Sequence, residues 1–155
     1  MDDPEARLQG FIDRFDPTIA ALARACRQRV RAQFPNAYEL VYDNYNALAI
    51  GYAGSERTSD CIVSLALLPR NVTLFFYYGV RLADAEGLLQ GKGNQVRSIR
   101  LPTPAVLDEP AVIALMQTAA ADSRTPLPAE PCGTIIKSVS AKQRPRRPAA
   151  GTLRR

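Results

Sequence analysis

The sequence predicts an α+β domain, an antiparallel or mixed sheet of about five strands with helices packed on one face. Three observations predict it: two helical stripes at the start of the chain, a middle third rich in residues suited to sheets, and one more helix before a last apolar run. The 155 residues amount to one domain. An apolar content of 46% is ordinary for a globular protein and excludes global disorder.

Residues 4–15 form the first predicted helix, with Leu8, Phe11, Ile12 and Phe15 near one face. Asp16-Pro17 starts the second, an N-cap carboxylate followed by proline at the first helical position. Ile19, Leu22, Cys26 and Val30 make its stripe, and Phe34-Pro35 ends it. Arg24, Arg27, Arg29 and Arg31 lie mostly off the stripe and read as a solvated face. The pattern then changes. Strands are predicted at 47–52, 61–68, 72–78 and 96–101, the middle two joined as a hairpin through Pro69-Arg70-Asn71. Val63, Leu65 and Leu67 are expected to face the helices. The other side carries Thr73, Phe75 and Tyr77; it is expected to be covered by a later segment, the alternative being an exposed aromatic groove. A third helix runs from Asp108 or Glu109 to about Ala121, with Val112, Leu115, Met116 and Ala119 on one face. Residues 134–139 are the last strand. The domain spans 1–139, and 140–155 is a basic, proline-containing tail.

Composition removes several chemistries. With no histidine, the chain lacks the imidazole base of Ser-His-Asp and Cys-His nucleophiles and the ligand of His-bound zinc. Cys26, Cys61 and Cys132 are odd in number and contain no C-x-x-C pair. That suits reduced, mostly buried thiols in a cytosol. The N-terminus is acidic and polar, unlike a secretory or transit peptide, and no apolar run reaches the length of a membrane span. A cytoplasmic location without a membrane partner is therefore expected.

The net charge of +5 divides unevenly. Residues 137–155 carry seven bases and no acid, whereas residues 1–136 hold thirteen bases against fifteen acids. Lys142, Arg144, Arg146 and Arg147 of the tail are candidates for phosphate contact. The plainer reading of the tail is a solvated or loosely packed terminus.

Three clusters are candidates for chemistry. Gly87 to Gly93 nearly imitates a P-loop, but it has three spacer residues instead of four and lacks the Ser or Thr that binds magnesium. Lys92, Arg97 and Arg100 could still hold an anion beside a glycine turn. The second cluster is Glu39, Asp43, Asn44, Tyr45 and Asn46. If 38–43 is helical, Glu39 and Asp43 lie one turn apart and could hold a hard cation. The alternative is a turn into the first strand, with Tyr42 and Tyr45 partly packed inside. The third is the acids Asp2, Asp3, Glu5, Asp13 and Asp16, a weak acidic ridge interrupted by Arg7 and Arg14.

Three strings also resemble a known family. FPNAYELVYDNYNALAIGYAGSERTSD, LFFYYGVRLADAEGLLQGKGNQVRSIRL and IIKSVSAKQRPRRP are similar to the YdhG-like family, domain of unknown function 1801, from about residue 10 to 148. The resemblance implies a small cytosolic α+β domain without an established reaction. Part of that family is linked to frataxin-like iron delivery, so the resemblance also implies iron handling by carboxylates.

The reading that follows is a non-catalytic binding module. Its expected ligand surface joins Asp43, Asn44, Tyr45 and Asn46 to the loop of Lys92, Asn94, Gln95, Arg97 and Arg100. The expected ligand is a small anion or a partner segment. Iron binding and nucleic-acid association through the tail are the alternatives.

Overall fold

In the computed structural model, which describes residues 3–148, Asp3 opens the first helix by accepting the Glu5 backbone N–H at 3.4 Å. That helix, α1, covers Pro4–Asp13, and α2 covers Pro17–Gln33. Asp16 stands at the predicted N-cap, but its side chain makes no capping bond; its carbonyl oxygen accepts the Ala20 N–H instead. The remaining elements are β1 (Tyr38–Asp43), β2 (Leu48–Ala53), β3 (Cys61–Leu68), β4 (Asn71–Phe76), β5 (Arg97–Arg100), α3 (Pro110–Ala121) and β6 (Thr134–Val139).

The sheet has six strands in the order β5-β4-β3-β2-β1-β6, with only the β1–β6 pair parallel. The α+β class is as expected. The sixth strand is β1, where the sequence left a helix open. Its residues find backbone partners on both sides, β2 and β6, and that pairing overrides any local helical preference.

The helices lie on one face. Cys26 and Val30 of α2 meet Val63, Leu65 and Leu67 of β3 and Leu74 and Phe76 of β4 in one core, to which α3 adds Val112, Leu115 and Met116. The alternation of β3 follows from the period of two along a strand. The opposite face carries a smaller cluster of Leu40, Ala53 and Cys61 beside Tyr38, Tyr42, Tyr77 and Ile135. Among the described residues the later segment that reaches this cluster is β6, through Ile135, and half-buried tyrosines flank its small residues. Gly51 belongs to this arrangement, because a Cβ there would stand 2.8 Å from the Cys61 Sγ.

Candidate functional site

Glu39 and Asp43 share a face in β1 because strand side chains repeat every second residue. In a strand, four residues span about 13 Å rather than one helical turn. Each carboxylate is buried on the helix side, and each is claimed by arginine.

Glu39 receives a two-pronged contact from Arg27, Nε to Oε2 and Nη2 to Oε1, both at 2.8 Å. The Tyr52 hydroxyl donates to Oε2 and the Thr134 hydroxyl to Oε1, each at 2.7 Å. Burial pushes this carboxyl up, but Arg27, Tyr52 and Thr134 more than offset it and hold Glu39 below the usual range. Arg27 also binds Glu5 through Nη1 at 2.9 Å and Nη2 at 2.6 Å. So Arg27, read from sequence as part of a solvated face, is 7% exposed and sits between two carboxylates. Asp43 accepts Arg146 Nη2 at 2.8 Å and Arg14 Nη1 at 3.4 Å. Neither carboxylate is free to take a cation in this arrangement. Of the N-terminal acids, Asp3 caps α1, Glu5 binds Arg27, Asp13 binds Arg24, and Asp16 opens α2; Asp2 lies outside the described residues. Among the described residues no three acids or thiols converge on a metal-sized site.

Arg146 departs from the expectation of a solvated or loosely packed tail over residues 140–148; residues 149–155 of that tail lie outside the described residues. Its side chain is 2% exposed and stacks at 5.7 Å over the Phe15 ring. It also donates to the Asn44 carbonyl at 2.6 Å. Gln143 Nε2 donates to the Asp43 carbonyl at 2.9 Å, and the Arg144 N–H to the Tyr45 carbonyl, also at 2.9 Å. Arg147 Nε donates to the Arg14 carbonyl at 3.1 Å. The segment is thereby laced to the end of β1 and the loop after it. Arg146 is removed from any nucleic-acid surface, while Lys142, Arg144 and Arg147 remain exposed.

The docked segment forms one side of an open groove of about 730 Å³. Arg144 and Arg147 face Arg70 of the β3–β4 turn across it, with Asn46 and Asn71 as further polar groups. Leu68, Pro69 and Pro145 supply its apolar surface. No carboxylate lines it, and none of the three guanidiniums makes an ion pair among the described residues, although Arg147 also donates Nη2 to the Asp13 carbonyl at 3.5 Å, leaving Nη1 as its uncommitted nitrogen.

The expected composite surface is not assembled. Asp43 to Asn46 lie at the end of the sheet where β1 turns into β2, next to the β3–β4 turn. The loop carrying Lys92, Asn94 and Gln95 enters β5 at the opposite end, with β2, β3 and β4 between. At one strand spacing per step the lateral separation alone is about 19 Å. Arg97 is committed to its own loop, donating to the Gly93 carbonyl at 2.6 Å and the Val96 carbonyl at 2.8 Å. Arg100 is exposed on the outer strand β5 and does not line the groove. Tyr45, expected partly inside, is 52% exposed.

A second, smaller cavity of about 150 Å³ lies between the start of β3, residues 78–82 and the end of α3. Asp60 and Asp122 are balanced there by Arg81 and Arg124, so it selects no sign of charge. Arg81 stacks at 4.9 Å on the Tyr78 ring.

Sequence reasoning missed Arg70 and Asn71 as site residues, because both read as turn punctuation. Comparison with known proteins adds no relative: no family model, no curated protein and no solved structure matches the chain, so the likeness to the YdhG-like family rests on the quoted strings alone.

Proposed function

We propose that this protein is a non-catalytic binding module for an anionic, phosphate-bearing ligand, seated in the groove of Arg70, Arg144 and Arg147. One observation carries the reading. The Arg146–Asp43 pair pins the C-terminal segment so that two of its arginines join a third from a distant turn, with no acid among them. Planar guanidiniums recognise oxyanions through paired N–H donors, and the two asparagine amides add neutral ones. The non-catalytic part rests on composition and burial. The chain has no imidazole, and of its buried carboxylates Glu39 and Asp43 are held by arginine, while Asp60 accepts the Ser55 hydroxyl at 2.6 Å and lies 3.6 Å from Arg57. A reducing, cytoplasmic compartment suits the free cysteines Cys26, Cys61 and Cys132. The iron-handling alternative requires Glu39 or Asp43 to give up its arginine, and anaerobic ferrous titration tests it.

Calorimetric titration of the full chain with inorganic tripolyphosphate tests the groove. Binding should weaken as salt rises. Arg70→Ala and Arg144→Ala should each weaken it by about tenfold, the scale of a lost charge-assisted hydrogen bond. Lys92→Ala, in the far loop, should leave it unchanged. Equal binding by wild type and an Arg70→Ala/Arg144→Ala/Arg147→Ala variant, or no binding at all, defeats the proposal.

A further inference from the structure

We infer that the ligand of this groove is a single nucleic-acid strand, with Tyr45 as the platform on which a base stacks; the inference rests on the anion-groove reading and narrows it. Tyr45 stands in the loop between β1 and β2 and is 52% exposed, the most exposed large apolar side chain among the described residues. Its backbone is nevertheless held firmly. The Tyr45 carbonyl accepts the Arg144 N–H at 2.9 Å and Arg146 Nη1 at 3.4 Å, so the residue's backbone is tied to the same segment that supplies the guanidiniums, one position before the groove lining begins at Asn46. The next residue, Asn46, lines the groove, and its Oδ1 accepts Arg144 Nη1 at 3.5 Å.

A cationic track beside an exposed aromatic ring is the combination that binds unpaired strands. Arginines follow the phosphates, and the ring takes any base, because every base has a flat face. Leu68, Pro69 and Pro145 add apolar surface for sugars and bases, and Asn46 and Asn71 offer amides to base edges. Lys142 is exposed on the same segment and extends the positive surface. A duplex keeps its base faces stacked on one another and leaves Tyr45 nothing to take.

Fluorescence anisotropy of the full chain with a labelled short oligothymidine tests this, with a duplex of the same length and a heparin oligosaccharide as competitors. The strand should bind with a log–log salt slope of about −0.7 per phosphate neutralised. Arg144→Ala should shallow that slope by about the share of one phosphate contact. Tyr45→Ala should weaken strand binding about fivefold or more, and Tyr45→Phe should restore it. Tyr45→Ala should leave tripolyphosphate binding unchanged, which separates stacking from charge. Strand binding indifferent to Tyr45→Ala, or heparin and duplex competing as well as the strand itself, overturns the inference and leaves a plain anion groove. Tripolyphosphate binding without strand binding does the same. If neither binds, both readings fall.

Discussion

Glu39 and Asp43 show how far a residue's role depends on its partner. Both were candidates for a cation, and both are held by arginine instead. Glu39 accepts four hydrogen bonds at 2.7 or 2.8 Å, from Arg27, Tyr52 and Thr134. Replacing it with glutamine leaves the Arg27 charge buried with only the half-exposed Glu5 to balance it. The expected cost is about 3 kcal/mol, the lower end for a broken buried pair, read by urea denaturation of Glu39→Gln against wild type. Glu5 sets a pH dependence. Its hydrogen bonds from Arg27 bring its pKa down to about 2 from an ordinary 4.5. Well above pH 4.5 the group is ionised in both states and its stabilisation is complete. As the pH falls from 4.5 toward 2, the unfolded chain takes up a proton that the folded one refuses, and that stabilisation is lost. Glu39, also held low, acts in the same direction. Thermal melts across this range should fall less steeply for Glu5→Gln than for wild type.

At the scale of elements, most of the chain follows local rules. The stripe of α2 and the alternation of β3 and β4 are periodicities visible within a few residues, and they match the buried core. β1 does not, since two carboxylates sit on its buried face and blur the pattern. Only strands from both sides of it, one arriving from residues 134–139, make it a strand. Two glycines test how closely elements meet. At Gly79 a Cβ would lie 2.5 Å from the Arg97 Cβ and 2.9 Å from the Arg97 backbone nitrogen, so the turn after β4 presses directly on the start of β5. Gly79→Ala should cost about 1–3 kcal/mol. Gly10 lies within α1 with nothing within 4 Å of its would-be Cβ. Gly10→Ala should stabilise by about 0.8 kcal/mol, and calorimetric melting of the two variants checks both signs.

For the whole molecule, the C-terminal segment is part of the fold and not an appendage. Truncation after Val139 removes Arg146 from Asp43 and strips Arg144 and Arg147 from the groove. It should lower the melting temperature and abolish tripolyphosphate binding together. A solvated tail would lose at most the binding. An unchanged melting temperature on truncation would show that the docking contributes nothing to stability.

The sequence by itself determined the α+β class, three helices, five of the six strands, the absence of imidazole chemistry and the basic character of the C-terminal residues. These are local or compositional properties, set by spacings within one turn or one strand. Tertiary structure alone decided which charges meet. Asp43 and Arg146 are 103 residues apart, and Arg27 and Glu39 lie on different elements. It also separated Lys92 and Arg97 from Asn44 to Asn46, placing them at opposite ends of the sheet, and it brought Arg70 to Arg144 and Arg147. The physical reason is that an ion pair depends on distance in space, and that distance is fixed by strand order and direction, which short-range periodicity does not encode.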